Sequence, residues 1–189
     1  MKHTTSTIFN RRVLKTVLST AVALSIGLGV NSYADAASAT SISTAKVLVP
    51  IAISKTRDLA FGSFAPGVGG TITVSTSGAR TKSGTILSSI GVAPSAAQFA
   101  VTGDGVSTYS ISFTNTPLAS TATPGDVMPL AIFSDFTGGN ATTGTVATNG
   151  GTLTAGAQTI YVGGTATVGA SQPFHADYAA NIIVAVEYN

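Results

Sequence analysis

An all-β fold is what this 189-residue sequence predicts, an antiparallel β-sandwich of roughly nine or ten short strands. Three observations carry the prediction. Apolar and polar residues alternate with a period of two in several segments, most clearly over 106–113 and 180–188. Turn residues recur about every 8 to 12 positions, the spacing of a sandwich. No stretch after residue 36 holds a helical period, and 94–98 offers one helical turn at most, with Pro94 at its first position.

The elements run in chain order. Val47, Val49, Ile51 and Ile53 alternate with Lys46, Leu48, Pro50 and Ala52, which predicts a strand over 45–53. Pro50 cannot donate to a ladder, so this strand belongs at an edge or carries a bulge. Residues 59–64 form the next apolar run, succeeded by a glycine-rich loop over 65–70 that reads as a hairpin turn. Thr71–Ser75 is a strand closed by Ser77-Gly78, and 84–88 is a weaker one. Gln98–Val101 runs into the tight turn Gly103-Asp104-Gly105, and then come 106–113 and 127–133. Gly150-Gly151 and Gly163-Gly164 punctuate short strands at 152–154, 158–162 and 165–168. Residues 180–188 make the last strand.

The N-terminus has a different character. Lys2, Arg11, Arg12 and Lys15 precede an uncharged run of 15 residues, 16–30, and then Ala34-Asp35-Ala36 before Ala37. A basic start, a short apolar run and small residues at the cleavage positions predict a secretory signal peptide over 1–36. The run is shorter than the roughly 18 to 20 residues of a transmembrane helix, so the mature chain is expected to carry no membrane span. Arg11-Arg12 lacks the flanking residues of a twin-arginine signal, which predicts ordinary unfolded export. The expected mature chain, 37–189, has 153 residues and forms one domain. Its 37–54 portion is an N-terminal extension with the first strand, and 55–189 is the sandwich itself.

Removing four basic residues and one acidic residue from nine and seven leaves five against six, a net charge of −1. That balance gives no basis for binding nucleic acid. Only 11 of 153 residues are charged, far below the roughly 25% of ordinary domains. Thr supplies 24 positions and Gly with Pro 26, a strand-and-turn composition rather than a disordered one. An outer-membrane barrel would need longer strands and aromatic girdles, which 11 Phe and Tyr without Trp do not supply.

Candidate chemistry is sparse. The chain has no cysteine, so thiolate metal sites, cysteine nucleophiles, lipid-anchored cysteine and disulfides are all excluded. His175 is the one histidine after residue 36 and lies two positions from Asp177, but no G-x-S-x-G elbow places a serine beside them. A surface histidine is the plainer reading. Asp58, Asp104, Asp126, Asp135, Asp177 and Glu187 are scattered one per loop or strand, a pattern for turn and cap chemistry rather than a metal. Gly67-Val68-Gly69-Gly70 lacks the lysine of a phosphate loop. Arg80, Lys82, Lys55 and Arg57 are too few for a binding patch. The sequence therefore predicts no catalytic residue, no metal site and no cofactor.

The informative features are the two ends. Val47, Val49, Ile51 and Ile53 line one face of the first strand, and Ile182, Val184, Val186 and Tyr188 one face of the last. Two core strands of one sandwich explain both rows. The first row could equally pair with another subunit's open edge.

Residues 58–64 (Asp-Leu-Ala-Phe-Gly-Ser-Phe), 70–74 (Gly-Thr-Ile-Thr-Val) and 78–80 (Gly-Ala-Arg) carry a resemblance. So do 97–103, the Tyr161-Val162-Gly163-Gly164 step and the closing strand from Tyr178 to Tyr188. Together they resemble the exported bacterial family catalogued as domain of unknown function 4402, over nearly all of 45–189. The ending Ile182–Asn189, with its penultimate tyrosine, is more loosely similar to chaperone–usher pilus subunits. That likeness implies an immunoglobulin-like, pilin-like sandwich whose N-terminal extension is donated to a neighbour, with a periplasmic chaperone holding the open groove beforehand. The expected function is a non-enzymatic structural subunit of a fimbria- or pilus-like polymer. Its expected partners are identical or related subunits through strand pairing, and its expected route is through the periplasm to the cell surface. The alternative is a secreted monomeric binding module or adhesin of the envelope.

Overall fold

A computed structural model describes residues 37–146 and 150–189. The expected signal peptide, with Ala34 and Ala36, lies outside the described residues. The chain divides into two units, 1–44 and 45–189. In the first, the described residues 37–44 are exposed and form no regular structure. The second holds every strand, and no helix occurs among the described residues.

Among the described residues, fourteen strands run in chain order. They are β1 (Ala52–Arg57), β2 (Phe64–Ala65), β3 (Gly70–Val74), β4 (Arg80–Ser83), β5 (Ile86–Leu87), β6 (Ala97–Thr102) and β7 (Thr108–Asn115). Then come β8 (Leu118–Ser120), β9 (Val127–Met128), β10 (Leu130–Asp135), β11 (Gly151–Thr152), β12 (Ala157–Val168), β13 (Tyr178–Ala179) and β14 (Ile182–Tyr188). All pairings are antiparallel. The main sheet is ordered β1-β6-β12-β3-β4, with β10 also on β12. A second sheet, β11-β7-β14, faces it, and β13-β8-β9 and β2-β5 are smaller. The result is an all-β sandwich, as the alternation predicts.

One strand organises both layers. The first half of β12 pairs with β6, from Ala157 to Val162, and its second half pairs with β3, from Gly164 to Val168. Residues Tyr161 to Ala166 pair with β10. So β6 and β3 share one edge of β12 end to end, and β10 takes the other. Ile160 and Val162 enter a core cluster with Phe99 and Val101 of β6 and Tyr109 and Ile111 of β7. Ala166 and Val168 enter a second cluster with Phe61, Ile72, Val74 and Met128. Alternation along one strand therefore fills two cores in succession.

Several expectations need correction. Gly163-Gly164 does not divide two strands but lies buried inside β12. A Cβ at Gly163 would stand 2.4 Å from a ring carbon of Phe133 and 2.6 Å from the Val74 carbonyl oxygen. Close approach of neighbours requires the glycine, not a turn. Residues 94–98 form no helical turn, because Ser95 bridges to Ala60 and Ala97 opens β6. Residues 59–63 carry a single bridge rather than a strand, and Arg80 explains them. Its guanidinium donates to the carbonyls of Phe61, Ser63 and Ser88 at 2.8 to 3.1 Å, and the Ser63 carbonyl also accepts from the Ser88 amide at 3.0 Å. The 65–70 loop joins no hairpin, since β2 pairs with β5 and β3 with β4. The predicted first strand begins at Ala52, not at residue 45.

The Phe133 contact yields a test. Gly163→Ala is expected to destabilise the domain by roughly 1–3 kcal/mol, the cost of overpacking a filled site. Urea or thermal unfolding would measure it, and Gly163→Val should cost more. An unchanged midpoint would mean that Phe133 moves aside freely.

Candidate functional site

The two ends of the domain meet at the last strand. β14 pairs with β7 along its whole length, from Ile182 opposite Asn115 to Tyr188 opposite Tyr109. Among the described residues no strand pairs with its other edge. Tyr109 and Ile111 of β7 are fully buried in the first core cluster. Ile182, Val184, Val186 and Tyr188 pack on the same cluster but remain half-buried, as do Ile51 and Ile53. The sandwich is thus sealed at β7 and left part-open along β14.

Edge strands usually carry charges that discourage pairing with a second chain. Here four of the five basic residues after residue 36 lie on two other edge strands. Lys55 and Arg57 are on β1, and Arg80 and Lys82 on β4. β14 has only Glu187, and its outward face shows Ile183 at 61% exposure. The protection is absent where the apolar row is open.

The segment before β1 is the complement. Residues 45–51 join no ladder, and Val47 and Val49 are 93% and 56% exposed. Ile51 packs on the first core cluster, and polar clips hold the segment before it. The Tyr188 hydroxyl donates to the Val49 carbonyl at 2.7 Å and accepts from the Asp104 amide at 2.6 Å. The Lys46 ammonium meets the Asp104 carboxylate at 2.9 Å, but Lys46 is mostly solvent-exposed, so the pair contributes little. The turn at 103–105 fits only because Gly103 has no side chain, since a Cβ there would come within 2.2 Å of the Tyr188 hydroxyl oxygen. Of the eight residues read as strand interface, Ile182, Val184, Val186 and Tyr188 share one face of β14. Ile51 and Ile53 pack on the same core, while Val47 and Val49 stand apart in solvent. Asp104 and Gly103 belong to the site as well. No spacing in the sequence ties them to Tyr188, more than eighty residues away.

The His175 and Asp177 pair does not form. His175 Nε2 lies 2.6 Å from the carboxylate of Asp126. Asp177 instead accepts from the hydroxyls of Ser120 and Thr121 and the amide of Ala122, pinning the β8–β9 turn. These donors, led by the Thr121 hydroxyl, lower the Asp177 carboxyl from an ordinary 3.8 to about 2. Asp135 has a similar role in the loop after β10. Burial alone would raise its carboxyl, but the Thr76 hydroxyl and the amides of Gly138, Thr137 and Gly139 outweigh that and hold it below the ordinary range. Among the described residues no group of three or more His, Asp or Glu is placed to hold a metal. Burial pushes the Tyr109 phenol up to about 12, and its hydroxyl donates to Gln158 at 2.5 Å.

This geometry sets two expected outcomes. Asp177 has a lowered folded pKa, so its stabilisation is present above about pH 4 and is lost as pH falls towards about 2. The protection factor of the Ala122 amide, its rate relative to the unstructured chain, should fall across that window in the native chain, and Asp177→Ala should give low protection at every pH. Tyr188→Phe removes both clips while keeping the ring. It is expected to speed exchange of the Asp104 amide about tenfold, equivalent to roughly 1.4 kcal/mol, and leave Ile111 unchanged. Equal acceleration at both amides would show global loosening instead.

Comparison with known proteins gives a family but no activity. Neither the curated proteins nor the solved structures yield a match. The family model described as Domain of unknown function (DUF4402) matches residues 51–188, from the residue before β1 to the clipping tyrosine. The chain belongs to the DUF4402 family.

Proposed function

We propose that this chain is a non-enzymatic structural subunit of a fimbria-like polymer at the cell surface, assembled by strand addition. The observation that supports it is the open edge of β14, with its half-buried apolar row, beside an apolar segment of the same chain that joins no ladder. Residues 45–51 of one subunit would add as a strand along β14 of the next. Backbone hydrogen bonds would supply affinity, and Val47 and Val49 would fill the gaps above Val184 and Val186. Ile53 is already paired opposite Val101 in β1, so the donated part ends before it. A periplasmic chaperone capping the same edge fits this reading, because an uncovered apolar edge invites aggregation. Low charge and a net charge near zero also favour association.

Surface material left unheated in detergent tests the reading. The subunit expected after export has a mass of about 15 kDa, scaled from 18.7 kDa for 189 residues to 153. The expected result is a ladder at multiples of that mass that collapses on boiling. Val47→Asp with Val49→Asp should abolish the ladder yet leave monomer stability within about 0.5 kcal/mol, because both side chains are exposed in the subunit. A single monomer band from the native chain would point to the second reading, a secreted binding module.

A further inference from the structure

A cavity of about 580 Å³ opens between the irregular chain at 59–66 and the loop at 172–178. No residue of β14 lines it, so the cavity is separate from the edge used in strand addition. Its volume lies within the range of small-molecule sites, roughly 300–1,000 Å³. Its walls include Phe61 and Met128, both buried, and the half-buried Phe64 and Tyr178. The second core cluster therefore opens to the surface here instead of closing. Phe174 lines the same cavity and could plug it, yet it stands 93% exposed. A cavity of this size with aromatic walls and an exposed aromatic ring at its mouth is a candidate ligand site.

The polar groups narrow the occupant. The loop is fixed by the Tyr178 hydroxyl, which accepts from Gln172 at 2.8 Å and donates to the Pro173 carbonyl at 3.0 Å. The His175 ring sits edge-on to Tyr178 with centroids 5.4 Å apart, and its Nε2 is taken by Asp126. The His175–Asp126 pair is thus closed on itself, and no Lys, Arg, Asp or Glu lines the cavity. Gln172 Oε1 makes no hydrogen bond among the described residues, and an amide oxygen is an acceptor. A sugar would bury hydroxyls against Phe61, Phe64 and Met128, where they find no partner. An ionic ligand would meet no free counter-charge.

We propose that this cavity binds a neutral, largely apolar ring compound carrying one hydrogen-bond donor. The ring system lies against Phe64 and Tyr178, Phe174 folds onto its outer face, and the donor meets Gln172 Oε1. The fluorescent amine N-phenyl-1-naphthylamine has this chemistry, with two aromatic systems, one N–H and no charge, and it brightens when it leaves water. Titrated into the purified chain, it should give a saturable rise at one site per molecule. Ser63→Phe, an exposed position on the lining, should weaken binding at least tenfold. Val106→Phe, equally exposed but in the β6–β7 turn, should leave it unchanged. If Ser63→Phe does not fold, Ala176→Phe on the opposite wall gives the same reading. No saturable rise, or equal affinity in the Ser63 and Val106 variants, would overturn the proposal. So would binding of methyl glucoside with none of the amine.

Discussion

The constraint on which this structure depends is the close approach of three strands at Gly163 and Gly164. β12 is more than twice the usual strand length and passes through both core clusters. To do so it must change partners on one edge, from β6 to β3, while β10 runs on uninterrupted along the other. The change of partners falls at the glycine pair. There Phe133 lies across Gly163, and Leu59 and Leu130 crowd Gly164. A side chain at either position would push apart strands from both halves of the sheet. The two cores are one domain because a single backbone is narrow enough to thread between them.

That constraint shows why parts of the fold were legible and others were not. Strands with one buried face announced themselves by alternation: β6, β7 and β14 lie where the pattern put them. β4, Arg-Thr-Lys-Ser, has no buried face and so no hydrophobic period to detect. β12 was divided because glycine near a strand more often marks a turn, and only the position of Phe133 shows that it marks crowding. Residues 45–51 present the opposite failure. Their alternation is as clean as that of β14, yet they form no strand, since the pattern records a capacity to pair and not the presence of a partner. At the site, the apolar row of β14 was readable. The hydroxyl of Tyr188 gripping Val49 and Asp104 was not, because the link spans the chain and rests on one missing Cβ at Gly103.

Scarcity of charge ties the surface to the edges. With so few ionic groups, polar satisfaction falls to hydroxyls and amides. Thr73 and Thr165 bond across β3 and β12 at 2.8 Å, and Thr76 with Ser77 anchors the loop after β10. Such neutral faces need little counter-charge and keep the molecule close to its isoelectric balance. The few cations then have disproportionate weight. They lie on the edge strands β1 and β4, where charge discourages pairing with another chain, while β14 carries none of them.

The clip at Tyr188 sets the terms on which that edge could be used. A segment held by packing would be costly to remove, because its apolar area would return to water. A segment held by one hydroxyl and one exposed ion pair is released for little, since water replaces each contact at small net cost. Val47 is almost fully hydrated before release and Val49 about half, so burying them against an open edge would gain up to roughly 1.5–3 kcal/mol for Val47 and about half as much for Val49. In the proposed assembly, the balance between a weak polar hold and an unrealised apolar gain would favour pairing with a neighbour. It would do so because the sequence puts the apolar side chains and the clipped backbone on the same seven residues.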